Sequence, residues 1–206
     1  MKDRLLGMAL MLSFPTSALA AVTEGTKVVC TTTVKQGDGS LTIELWPSSA
    51  PVGVQRFVDL VNDGFFTDLP MFRAIPNFLI QFGIQPNSAI QSKWEGAGNI
   101  KDDPPSSIPF TDGIVSYAGY GKNSRGTHLF FTLGNQPGLG RSPWEVPVGR
   151  VVNGREVMHA IYTGYGDKVN QGRLRGPQGN TYLASFPKLD SFKSCRIEEP
   201  TGSLEL

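Results

Sequence analysis

Glycine and proline together make up nearly a fifth of this 206-residue chain. So many breakers exclude a long helical bundle and favour short strands joined by turns. Residues 27–35 (KVVCTTTVK) are rich in β-branched side chains, Gly37-Asp38-Gly39 interrupts them, and residues 41–45 (LTIEL) alternate apolar and polar. That pattern predicts a β-hairpin. Ser49 near the cap and Pro51 in the first turn then mark a helix start. Val54, Phe57, Val58 and Val61 follow at helical spacing until Gly64.

Residues 72–82 are an apolar run broken at Pro76-Asn77, which reads as two short strands around a tight corner. Residues 84–112 lack periodicity and carry Pro, Asp, Ser and Gly, predicting a long surface excursion. Residues 113–118 and 128–133 read as buried strands around a glycine-rich connection, and residues 134–147 as a loop. A strand over 148–152, a short helix over 156–162, a loop over 164–181 and a closing strand over 192–198 complete the chain. About eight strands and two helices, with no βαβ alternation, predict a mainly β fold: a closed eight-stranded antiparallel barrel capped by two helices.

Net charge is +1 and 18% of residues are charged, so the chain is neither a phosphate-neutralising nucleic-acid binder nor a disordered polyelectrolyte. Lys2 and Arg4, an apolar run over residues 5–14 and the small residues Ala18 and Ala20 predict a signal peptide over residues 1–20. A buried N-terminal helix is the alternative. Export implies the secretory pathway, with the protein secreted or held in the ER lumen or periplasm. After residue 20 no stretch approaches the ~20 apolar residues that span a bilayer. Cys30 and Cys195 permit one bridge in an oxidising compartment; two buried free thiols are the other possibility.

Little catalytic chemistry is on offer. His128 and His159 are the two histidines, and no compact metal-ligand spacing, Gly-x-Ser-x-Gly elbow or dinucleotide fingerprint occurs. Asp102-Asp103 in its Pro-rich stretch reads as a solvated face, and His128 as a hydrogen-bonded structural histidine.

One stretch is distinctive. In residues 73–81 (RAIPNFLIQ), Arg73 precedes Phe78 by five positions and Gln81 by eight, so strands joined by a Pro corner can turn all three to one groove. The stretch resembles the central motif of the cyclophilin peptidyl-prolyl isomerases. Segments 113–118, 126–131 and 148–154 match in order, so the resemblance covers residues 27–198. Lys93-Trp94, residues 100–104 (IKDDP), 162–166 (YTGYG) and 186–190 (FPKLD) look like a divergent branch with an extended C-terminal segment.

The resemblance implies an isomerase domain over residues 21–206 that catalyses cis/trans isomerisation of X–Pro bonds during protein folding. It implies a monomer with proline-containing peptides and folding proteins as partners. This chemistry needs no nucleophile, metal or cofactor: the enzyme binds the twisted amide better than the planar one. By position, Arg73 is the catalytic arginine and Gln81 orients it. Phe78, Leu79, Phe130 and Leu139 take proline-pocket positions, with Leu79 replacing the usual Met. Ala118 and Gly119 take the peptide-binding segment, Gly119 replacing Asn, and His128 sits beside the groove. The family's active-site histidine has no counterpart; Glu145 or Val146 falls nearby. The tryptophan linked with cyclosporin binding is also missing, Trp144 being offset. In the family fold the first and last strands are neighbours, which predicts a Cys30–Cys195 disulfide.

Two alternatives remain: a cyclophilin-like module that binds proline peptides or a protein partner with little turnover, and a lipocalin-like carrier. The carrier would need an open lumen, whereas the bulky strand residues predict a filled barrel.

Overall fold

The computed structural model describes residues 22–198; the expected signal peptide lies outside them. Strands β1 (Lys27–Thr32) and β2 (Ser40–Leu45) form the expected hairpin, with inward residues buried at every second position. Helix α1 (Pro51–Asn62) follows. Then come β3 (Leu69–Pro70), β4 (Arg73–Ile75) and β5 (Leu79–Phe82). Helix α2 (Ser88–Gly96) precedes β6 (Ile114–Tyr117), β7 (Leu129–Thr132) and β8 (Pro147–Asn153). Three short helices, α3 (Arg155–His159), α4 (Gln171–Arg175) and α5 (Gly179–Leu183), lead to β9 (Ser191–Glu198).

All nine strands join one antiparallel sheet in the order β3-β9-β1-β2-β8-β6-β7-β5-β4. The expected closed ladder of eight strands with two helices is corrected to nine strands and five helices among the described residues. The end strands β3 and β4 do not pair with each other. Only Met71 and Phe72 separate them, so chain connectivity holds the two edges within a few residues' reach. The sheet therefore curls on itself with its seam crossed by backbone rather than by a ladder.

The curl encloses a phenylalanine-rich interior. Phe66, Phe82, Phe131 and Phe192 meet at centroid distances of 4.8–6.2 Å, mostly edge-to-face. Helix α1 adds Val54, Phe57, Val58 and Val61, the face that its spacing predicted. The barrel is filled, against a lipocalin-like lumen. Cys30 and Cys195 face each other across β1 and β9 and are disulfide-bonded.

Three local expectations change. The 84–112 excursion contains α2, whose fully buried residue is the polar Gln91 and which turns only Ile90 and Trp94 to the core, too short an apolar stripe to announce a helix. The 164–181 loop holds α4, capped by the Asn170 side chain accepting from Arg173 N–H. Ser49 does not cap α1: the flanking residue is Ala50, which gives no side-chain bond. The cap comes from Asp103, whose carboxylate accepts the N–H groups of Val52 (2.8 Å) and Gly53 (2.9 Å).

Asp102-Asp103 is accordingly no solvated face. Asp103 is buried and pairs with the fully buried Arg125 guanidinium at 2.7 Å, which also donates to the Lys101 carbonyl. Gly53 makes the seat possible, because a Cβ there would lie 2.9 Å from Arg125 Nη1 and 3.0 Å from Asp103 Oδ2. Beneath the pair, the buried Tyr117 hydroxyl donates to Gly53 O at 3.0 Å, and burial pushes its ionisation far upward.

Candidate active site

Register decides which side chains share the groove. In β4–β5 pairing Arg73 stands opposite Gln81, and in β5–β7 pairing Gln81 stands opposite Phe130. Directly opposed residues point to the same face of a sheet. Arg73, Gln81 and Phe130 therefore form one row across three strands. The next row, Ala74–Ile80–Phe131, points the other way and belongs to the interior. The alternation in RAIPNFLIQ thus separates groove from core residue by residue.

Arg73 is half-buried; Nη1 donates to Gln81 Oε1 at 3.4 Å, and its guanidinium lies 5.7 Å from the Phe78 ring centroid. Both neighbours are neutral, so the cation has no carboxylate partner among the described residues and keeps donors free to face the groove.

Beside the row lies an apolar cluster separate from the interior: Leu79, Phe110, Ile114 and Phe130, with Phe78, Ala118 and Leu139 packed on it. The four sequence-assigned pocket residues Phe78, Leu79, Phe130 and Leu139 come together here. Phe110 is an addition, its ring stacked on that of Phe130 with centroids 6.2 Å apart and planes at 23°. It arises from the aperiodic excursion, where one aromatic after Pro109 gave no pattern to read. An open cavity of about 530 Å³ adjoins the cluster, bounded by Phe110, Pro137 and Leu139.

Ala118 and Gly119 continue the groove past the end of β6. Ala118 N–H donates to His128 O at 3.0 Å. Ser124 Oγ ties the following turn by accepting from Tyr120 N–H (2.9 Å) and Gly121 N–H (3.1 Å). A second cavity, of about 500 Å³, lies on this side between Gln81, Gly119, His128, Glu95 and Arg175.

His128 is both hydrogen-bonded and on the rim of that cavity. Its ring packs edge-on to Phe72 at 5.9 Å, and its Nε2 accepts from Arg175 Nη2 at 3.0 Å. Burial and then the Arg175 charge push its pKa down to about 4, against a smaller opposing effect of Glu95. The ring is neutral at physiological pH. Arg175 in turn pairs with Glu95 through Nε at 3.1 Å, so α4 of the C-terminal segment is tied to α2 across the cavity.

The positions nearest the missing histidine do structural work. Glu145 Oε2 accepts the N–H groups of Gly140 (3.0 Å) and Ser142 (3.3 Å), closing the 140–145 turn, and Val146 is buried.

The family model for cyclophilin type peptidyl-prolyl cis-trans isomerase/CLD matches residues 29–178, leaving α5 and β9 beyond the matched span. Among curated proteins, "Peptidyl-prolyl cis-trans isomerase CYP57" of Arabidopsis thaliana is 37% identical over 109 residues, 52% of this chain and 21% of that protein. "Peptidyl-prolyl cis-trans isomerase-like 1" of Emericella nidulans is 31% identical over 124 residues, 60% of this chain and 75% of that one. The chain thus spans about a fifth of the Arabidopsis relative and three quarters of the fungal one. A crystallised cyclophilin type isomerase of Cryptosporidium parvum shares the fold, with TM-score 0.61 and 21% identity over 84% of this chain and 98% of that one. With its matched span and its sheet in agreement, the chain belongs to the cyclophilin-type peptidyl-prolyl cis-trans isomerase family.

Proposed function

We propose that this protein accelerates cis/trans isomerisation of X–Pro bonds in peptides and folding proteins. The observation that carries the proposal is the Arg73–Gln81–Phe130 row beside the apolar cluster. The proline ring enters the cluster of Leu79, Phe110, Phe130 and Leu139, which excludes water from one side of the amide. As the amide twists, its nitrogen lone pair localises and its resonance is lost. Arg73 donates to that developing electron density, and Gln81 Oε1 holds the guanidinium in place. The stabilisation exists only in the twisted state, so it accelerates the reaction instead of merely tightening binding. Arg serves here where Lys would not, since its planar fork contacts Gln81 and substrate at once.

A second reading, a proline-peptide binding module with little turnover, is favoured by the 138–147 segment: Glu145 is engaged in the turn and Val146 is buried, so neither supplies the missing imidazole. The near-balanced charge, +1 overall, speaks for protein rather than nucleic-acid partners. Among the described residues no helix is long and apolar enough to cross a membrane. We place the protein in the secretory pathway as a monomer; the cleavage expected after residue 20 and the disulfide support export.

A protease-coupled assay on X–Pro peptides tests the two readings. Acceleration that Phe130→Ala reduces supports the isomerase. Binding without acceleration, lost in Phe130→Ala, replaces it with the binding module.

A further inference from the structure

Gly119 has no positive φ, so backbone conformation does not demand glycine there. Space does. A Cβ at this position would lie 2.6 Å from both Cγ and Cδ1 of Trp144 and 2.9 Å from Ser124 Oγ. Trp144 is not free to step aside cheaply. Glu145 N–H donates to Ser142 O at 2.9 Å, and the Glu145 carboxylate clamps the same turn from within. The other side of Gly119 is fixed by Ser124, which ties down Tyr120 and Gly121. Glycine and indole are thus a matched pair, one shaped to admit the other.

The pair has a position that matters. Ala118, next to Gly119, packs on the apolar cluster of Phe110 and Phe130, and so does Leu139 from the segment that presents Trp144. The half-buried indole therefore lies against Gly119, which itself lines the cavity that His128 borders and takes the position where a peptide would seat. Its Nε1 has no hydrogen-bond partner among the described residues. A partly exposed aromatic face beside a backbone-pairing edge offers a substrate ring offset or edge-on contact.

We propose that Trp144 forms an aromatic wall of the groove and selects peptides that carry an aromatic residue next to the proline. The proposal rests on the reading that this groove binds proline peptides. Trp144 acts on selection among peptides, while Arg73 acts on the twisting amide.

The test compares kcat/KM for paired X–Pro peptides with Phe or Ala before the proline, and for Pro–X peptides with Phe or Ala after it. Wild type is expected to favour Phe about five- to tenfold at one of the two positions. Trp144→Ala should bring that ratio to about one, Trp144→Phe should keep most of it, and Gly119→Ala should lower it by displacing the indole. A merely structural Trp144 would lower both rates together and leave the ratio intact. An unchanged ratio in Trp144→Ala, or Trp144→Phe failing as Trp144→Ala does, overturns the proposal. Should wild type prove inactive, the Trp144 indole N–H resonance, assigned by its loss in Trp144→Phe, is followed while each peptide is titrated. A larger shift with the Phe peptide supports the wall although the isomerase reading has fallen. No shift, or equal shifts, refutes it.

Discussion

Arg125, outside the sheet, and Arg73, in β4, occupy opposite circumstances within one fold. Each guanidinium lies over an aromatic ring at nearly the same distance, 5.6 Å to Tyr117 and 5.7 Å to Phe78. Their other partners differ. Arg125 is fully buried, bound to the Asp103 carboxylate and the Lys101 carbonyl, with Nε facing Asp102 Oδ1 at 3.6 Å without closing a hydrogen bond. Arg73 is half-buried and touches one neutral amide oxygen at 3.4 Å. A carboxylate consumes the charge for structure; an amide steers the fork and leaves its field for a visitor. One fold thus holds an arginine whose loss should unfold the protein and another whose loss should silence it.

The largest expected effect lies wholly on the structural side. Replacing both Cys30 and Cys195 by Ser removes a link across 165 residues, worth about 5 kcal/mol in the chain-entropy model. Urea unfolding measures it, while the surviving folded fraction should keep its specific activity. Arg125→Met comes next. It strands Asp103 as a buried charge and should cost about 3–5 kcal/mol in the same assay. A loss under about 1 kcal/mol would show that the pair is dispensable and break the contrast.

Arg73→Ala should do the reverse. Peptide kcat/KM should fall by about 10²–10³, and the urea midpoint should barely move. Comparable losses of stability in Arg73→Ala and Arg125→Met would abolish the distinction between the two sites.

His128 sharpens the comparison through pH. Its folded pKa is depressed to about 4, so the unfolded chain binds the proton first as pH falls from its ordinary value near 6.5. Stability from the neutral ring is complete above about 6.5 and is lost as pH falls toward 4, on the order of 2 kcal/mol. His128→Gln should flatten that part of the stability–pH profile. Arg175 and Glu95 are the charged groups that act on the ring, from α4 and α2. The smallest effect belongs to Gln81→Ala: about a tenfold loss of kcat/KM, since Arg73 remains but is less well oriented.

Much of this contrast was legible in the chain, and unevenly so. Alternation in residues 27–45 gave the hairpin, and the spacing of Val54, Phe57, Val58 and Val61 gave α1. The motif from Arg73 to Gln81 carried the groove row, because a two-residue period assigns faces before any partner strand is known. Asp103 and Arg125 left no such mark: a polar pair joined across 22 positions has no periodicity, and adjacent acids look solvated. Helix α2 was hidden because Ile90 and Trp94 alone mark its inner face, too few positions to set a period. Phe110 and the fit of Trp144 to Gly119 depend on which loops meet, a property of the whole fold. Gly119 was visible as a replacement; the indole that requires it was not.

The remote cap on α1 has a consequence for the order in which the protein assembles. The apolar face of the helix can drive its turns to form early, but the Val52 and Gly53 amides must wait for a carboxylate 51 and 50 residues downstream. Asp103 is itself seated by Arg125, further along still. The first turn of an early element is therefore completed among the late, long-range contacts, after the loop-closing entropy of the excursion has been overcome. In native-state hydrogen exchange those two amides should open together with residues 101–103 and Arg125, as a cooperative unit distinct from the rest of the helix that contains them.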